Sequence, residues 1–352
     1  MHQIILSAGG LLPFLSALAI GFVLLTYVLL DGADLGVGML FGLLRDTNYH
    51  DTMAVSILPV WDANETWLVL AGGGTLALFP IVFSTLLTAF YLPLIVMLIS
   101  LAVRSTALEF RGAGGVVPKP YWDAAFCLGS FGVAFTQGVI AGAFIHGFAV
   151  SPDTYADGWG NWFSAFSLCC GIGTVAGYTT LGAAWLIYRT TDELQLRVRH
   201  HALVFGTVTL VMLVCLSVWT PALDARYAHR WATSPGPVLL GSDAALIILS
   251  AAAFGWSVVR RVPLVPLASA LAIVVLSFLA IGLTVFPMIV PPGFTIGQAA
   301  APRATELFVL SSMAIVVPLI LLYSTFSFFV FRGKVKTESE ARSAGKVREA
   351  ES

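Results

Sequence analysis

Apolar runs of about 20 residues or more recur from one end of this 352-residue chain to the other, and nothing constrains its fold more. A helix of that length crosses the hydrocarbon core of a bilayer, where only helices and closed barrels satisfy every backbone polar group. Charged residues make up 11% of the chain, against about 25% in soluble domains. The sequence therefore predicts an all-α integral membrane protein with about nine transmembrane helices. They fall at 11–42, 53–78, 81–104, 122–146, 162–188, 202–220, 240–259, 264–287 and 304–331. The first run exceeds a single span, so tilt or extension past the membrane surface is expected. No basic stretch precedes it, and it reads as a retained helix rather than a signal peptide.

Orientation follows from Lys and Arg, which concentrate in cytoplasmic segments. With the N-terminus outside, Arg45, Arg104, Arg111, Lys119, Arg189, Arg197, Arg199, Arg260 and Arg261 lie on the inner side. The tail adds Arg332, Lys334, Lys336, Arg342, Lys346 and Arg348, so 15 of the 18 basic residues are inside. Only Arg226, Arg230 and Arg303 are outside, and the expected outer loop 151–160 carries acidic charge alone. Residues 1–331 form one polytopic domain; 332–352 read as a charged cytoplasmic tail without a fold of its own. Small-residue pairs at Gly32/Gly36, Gly38/Gly42, Gly138/Gly142 and Gly173/Gly177 permit close helix approach. Pro93, Pro287 and Pro318 are candidate kinks.

Against this background two acidic clusters stand out: Asp31-Gly32-Ala33-Asp34, and Asp62-Ala63-Asn64-Glu65 framed by Trp61 and Trp67. A carboxylate in hydrocarbon is costly unless paired, hydrated or neutralised, so such groups line polar paths. Residues three apart share a helix face, which joins Asp31 to Asp34 and Asp62 to Glu65. Asp34 lies ten residues before Leu44 and Asp62 ten after Thr52. Both therefore sit roughly 15 Å from the inner ends of neighbouring antiparallel helices, and a shared buried site is expected. Glu109, between Arg104 and Arg111, would mark the cytoplasmic mouth of a proton route through Asp62 and Asp34. Blander readings stand beside these. Asp31 fits a solvated interface, Glu65 a structural hydrogen bonder, Glu109 a loop-end charge paired with Arg104 or Arg111, and both tryptophans packing. Asp123, Asp243 and Glu306 fall near span ends and are expected to be wet.

With net charge near zero, nothing points to a nucleic-acid or an acidic partner. Cys127, Cys169, Cys170 and Cys215 show no metal spacing, so no metal site is expected and they read as core thiols. Haem would need buried ligands at matching depth. His2, His50, His200, His201 and His229 fall in loops or at termini, and His146 at the outer end of a span, so no haem is expected here. Three function classes remain open from the residues: a helper subunit that supplies protons to a redox partner, a proton- or cation-coupled secondary transporter, and a purely structural scaffold.

The run Leu30-Asp31-Gly32-Ala33-Asp34-Leu35-Gly36-Val37-Gly38, followed by Pro59-Val60-Trp61-Asp62-Ala63-Asn64-Glu65-Thr66-Trp67-Leu68, closely resembles subunit II of cytochrome bd-type quinol oxidases. The likeness continues through Ala71-Gly72-Gly73, Phe79-Pro80, Arg104 and Glu109-Phe110-Arg111. It reappears at Asp192-Glu193-Leu194-Gln195-Leu196-Arg197 and at Phe286-Pro287 before Pro291. Asn64-Glu65-Thr66-Trp67 is more similar to the cyanide-insensitive branch. Many relatives carry Asp at the Glu109 position and Phe at Ala33.

The resemblance implies nine helices as two four-helix bundles plus one. It also implies a partner subunit I that carries the b and d haems and the quinol site. There quinol oxidation reduces O2 to water electrogenically, in the bacterial inner membrane. It assigns a proton path to Asp62, Glu109 and Asp34, supported by Asp31, Glu65, Trp61, Trp67 and Arg104. A small accessory subunit and a structural quinone or lipid are further expectations.

Overall fold

The computed structural model describes residues 2–113, 117–148, 162–331 and 333–335. The expected loop 151–160 and the tail, apart from residues 333–335, lie outside the described residues.

The chain runs α1 (His2–Ser7), α2 (Leu11–Leu40), α3 (Thr47–Ile57), α4 (Trp61–Leu78), α5 (Pro80–Ala89), α6 (Tyr91–Arg111) and α7 (Lys119–His146). It continues through α8 (Ala165–Arg189), α9 (Asp192–Leu223), α10 (Ala225–Ala232), α11 (Gly236–Val259) and α12 (Val265–Val285). A short antiparallel pair follows, β1 (Met288–Val290) with β2 (Phe294–Thr295), then α13 (Ile296–Ala299) and α14 (Arg303–Val330). Among the described residues eight helices are long and apolar enough to cross a membrane: α2, α6, α7, α8, α9, α11, α12 and α14.

The second and third expected spans are each delivered in two pieces. Pro59, which has no N–H to continue a helix, separates α3 from α4. Phe79 leaves helical geometry before Pro80 opens α5, and Phe90 does so again before α6. The 18-residue α4 is the one of the nine expected spans that falls short of the apolar criterion, because Asp62, Asn64 and Glu65 crowd its start. Pro93 accordingly sits in the first turn of α6 and Pro287 lies past α12, so neither kinks a span; Pro318 is inside α14.

Helix α8 is the hub, packed on α2, α7, α9 and α12, while α14 lies over α2 and α4. Glycine makes this possible. A Cβ on Gly36 would stand 1.8 Å from the Tyr178 carbonyl oxygen, so the α2 and α8 backbones touch there. Gly38 and Gly42 meet Ser130 and Cys127 of α7 within 3 Å of a would-be Cβ, and Gly138 and Gly142 meet α8 as tightly. Gly173 and Gly177 have ordinary clearance, so that pair produces no close approach.

Candidate functional site

The inner half of α2 is buried on all sides, and both of its carboxylates are held inside the helix cluster. Asp31, 0% exposed, accepts a two-pronged hydrogen bond from Arg104 of α6, also 0% exposed, at 2.6 and 2.9 Å. A fully buried charge pair of this geometry keeps both ions neutralised as a unit. The alternative of a solvated Asp31 is thereby excluded for this structure.

One turn before Asp31, the Tyr27 oxygen accepts a bond from Gln137 Nε2 of α7 at 2.5 Å. Gln137 Oε1 in turn accepts the Tyr178 hydroxyl proton from α8 at 2.9 Å. Gly32 leaves room for the Tyr178 ring, which would stand 2.9 Å from a Cβ there. The Asp-Gly motif therefore combines a buried charge with a backbone thin enough to admit an aromatic relay.

Asp34 has a different partner. Its Oδ2 accepts from Asn64 Nδ2 of α4 at 2.8 Å, and Asn64 Oδ1 is itself buried with no hydrogen-bond partner among the described residues. The expected shared site of Asp34 with Asp62 does not form. Asp62 is two residues from Asn64, about 200° round the helix, and it faces outward. Trp61, Asn64 and Trp67, three apart, make the buried stripe instead. Glu65, between the two faces, is half-buried and accepts from Ser105 of α6 at 3.0 Å. Glu109 lies on α6 itself, which runs past the expected span end at 104, and is exposed.

A profile of the family described as "Cytochrome bd terminal oxidase subunit II" matches residues 12–331. The chain belongs to this family. It is 30% identical to the cytochrome bd-I ubiquinol oxidase subunit 2 of Escherichia coli K12, over 94% of this chain and 97% of the relative. It is 27% identical to the cytochrome bd ubiquinol oxidase subunit 2 of Bacillus subtilis, over 61% and 64% respectively. The solved bd oxidase of Geobacillus thermodenitrificans shares the fold, with a TM-score of 0.76 at 16% identity, covering 92% of this chain and 99% of that one.

This subunit II carries a second polar cluster, where the start of α3, the end of α6 and the start of α7 meet, that its sequence did not reveal. Arg111 binds Asp123 through Nε and Asp51 through Nη1 at 2.6 Å. His50 holds Asp123 through Nδ1 at 2.8 Å and the Leu44 carbonyl through Nε2. Lys119 completes the clasp on Asp51 at 2.9 Å. Burial raises the Asp51 carboxyl, but the bonds from Lys119 and Arg111 outweigh it and hold the group below its ordinary value.

Three acids expected to be wet are buried. Asp123 lies within this clasp, and Glu306, 3% exposed, accepts a hydrogen bond from the Ser16 hydroxyl of α2 at 2.9 Å. Asp243 is enclosed on α11, which is flanked by α9, α10 and α12. Glu306 and Asp123 meet Ser16 and His50, 290 and 73 residues away, contacts that span-end position could not show. His50 likewise belongs to α3 and is buried, not part of a loop.

Proposed function

We propose that this chain is the second, haem-free subunit of a membrane quinol oxidase that reduces O2 to water, and that it passes cytoplasmic protons to a haem-bearing first subunit through Asp62, Glu65 and Glu109. The single observation that carries this reading is the outward placement of Asp62 and Glu109. They lie on exposed, mainly apolar surface of α4 and α6, with Val69, Leu98, Ile99 and Phe110 exposed and Thr66 and Thr106 the polar exceptions one turn away. An acid at span depth facing lipid is costly, whereas the same acid facing a protein partner can hand on a proton.

Behind that face, the Asp31–Arg104 pair is the rigid support. Asp34 provides a second carboxyl, which accepts its hydrogen bond from the neutral amide of Asn64. The donor set does not fit haem: His50, buried on α3, has both ring nitrogens engaged, and no facing pair of buried histidines occurs among the described residues. Haem redox chemistry accordingly belongs on the first subunit. Family membership favours this reading over a secondary transporter.

The test uses the assembled complex. Asp62→Asn is expected to slow quinol-driven oxygen consumption by about tenfold or more, the scale of losing one positioned proton-transfer group. Its haem absorption spectrum should be retained. Unchanged turnover would remove Asp62 from the route.

A further inference from the structure

The turn from α11 to α12 closes with two backbone bonds, Arg261 N–H to the Val258 carbonyl at 3.4 Å and Val262 N–H to the Ser257 carbonyl at 3.0 Å. Both bonds need Arg261 in left-handed backbone geometry, and its φ is 61°. Glycine takes that conformation without strain, so the chain keeps a charged side chain where backbone physics favours having none. Arg260 precedes it. Both side chains are exposed, and neither meets a carboxylate among the described residues.

Arg199 of α9 lies beneath this turn. Its Nη1 donates to the Val258 carbonyl at 2.9 Å, the oxygen that also receives the Arg261 N–H. Arg199 is 5% exposed, and Arg261 acts on it as a like charge. Glu193, earlier on α9, is taken by Arg197 at 2.6 Å. Elsewhere Arg104, Arg111 and Arg226 bind carboxylates, while Arg189 and Arg230 each hold a backbone carbonyl and lie over an aromatic ring. The α11–α12 corner thus gathers three guanidiniums with no carboxylate of the described residues paired to any of them.

The corner also stands at a defined depth. Helix α11 has 24 residues and is about 36 Å long, against about 30 Å of hydrocarbon, so its end reaches the headgroup layer. Next to the arginines the surface is apolar. Trp256, one turn before Arg260, is exposed, as are Val259 and, at the start of α12, Leu264. Tryptophan at a helix end of this kind marks the membrane–water interface. Clustered cations beside exposed hydrocarbon suit a ligand with an anionic head and apolar tails.

We propose that the Arg260–Arg261 corner, backed by the charge of Arg199, binds the phosphate of one anionic phospholipid whose acyl chains lie along Trp256 and Val259. Arg260 and Arg261 supply the contacts, and guanidinium groups meet phosphate oxygens with paired N–H donors. Arg199, being buried, adds positive field and fixes the turn through Val258. Inorganic phosphate would satisfy the same guanidiniums but gain nothing from the apolar surface beside them. The site does not depend on the proton-supply reading above.

Native mass spectrometry of the assembled complex tests this, with phosphatidylglycerol or phosphatidylcholine titrated into the detergent solution. The parent is compared with a double variant, Arg260→Gln with Arg261→Gly, and with Arg197→Gln, which alters an already paired charge at the same end. The parent should hold one phosphatidylglycerol per complex that the double variant lacks. At that site it should prefer phosphatidylglycerol over phosphatidylcholine by about tenfold or more. Arg197→Gln should keep the lipid. Glycine relaxes the left-handed position, so in detergent without added lipid the double variant should unfold at no lower a temperature than the parent. A lost lipid then reports a lost site and not a lost fold. Equal phosphatidylglycerol occupancy in parent and double variant overturns the site, and so does equal retention of the two lipids. Complete displacement of the extra lipid by inorganic phosphate would reassign the corner to a free anion and overturn the lipid.

Discussion

Arg104 carries its charge into the interior because Asp31 meets it with both oxygens, and neither residue has any alternative contact with solvent. Breaking such a pair from one side leaves an uncompensated buried ion, a loss of about 3–5 kcal/mol. Arg104→Leu and Asp31→Leu are each expected to lower the thermal midpoint of the purified complex sharply, while Asp31→Leu combined with Arg104→Met recovers most of it. A double variant no more stable than either single one would show that the pair does more than neutralise itself.

Asp51 offers a gentler test at the same scale. Its carboxyl is held below its ordinary value of 3.8, so the stability it adds is complete above that pH. The contribution is lost only as pH falls through the depressed value. Asp51→Asn should therefore weaken the acid-side decline of the unfolding midpoint below about pH 4 and leave its shape above pH 6 unchanged. Of the acids, Asp34 was legible as buried from its depth in an apolar run, whereas the sequence leaves Asp31 open and Asp62, expected beside Asp34, is exposed. Asn64 as the partner of Asp34, and His50 with Asp123, were not legible, because a contact 30 or 73 residues distant leaves no periodic trace.

At the level of elements, the meeting of α2 with α8 decides whether the site assembles. Gly36 and Gly182 put two backbones in contact, a Cβ on Gly182 standing 2.3 Å from the Gly36 carbonyl carbon. Overpacking there costs about 1–3 kcal/mol or more and forces the helices apart. Gly182→Val should cut the yield of assembled complex and disturb Asp34, Tyr178 and Gln137 together, whereas Gly173→Ala, where clearance is ordinary, should be tolerated. Chromatographic yield and oxygen consumption of the two variants check this. The small-residue spacing announced the α2–α8 and α7–α8 contacts but gave the same signal at Gly173/Gly177, because spacing states what is permitted and not which helix arrives. The breaks at Pro59 and Phe90 were hidden for a related reason: hydropathy runs straight through a corner that only backbone geometry records.

For the whole molecule, the direction of insertion determines what the carboxylates can accomplish. Fifteen of 18 basic residues fall on one side of the expected spans, and from that bias this side is expected to be the cytoplasmic one. Arg189, the clasp of Arg111 with Asp123 and Asp51, and Glu109 all belong to that side. A cysteine at Ser343 in the tail should then react with an impermeant thiol reagent only in inside-out vesicles. One at Ser234, between α10 and α11, should react in intact cells. The reverse pattern would place both Glu109 and Arg189 on the outer side, away from the cytoplasmic protons on which the proposed route draws. Orientation thus decides which side can supply Glu109 and Asp62, and the labelling pattern of two positions settles it.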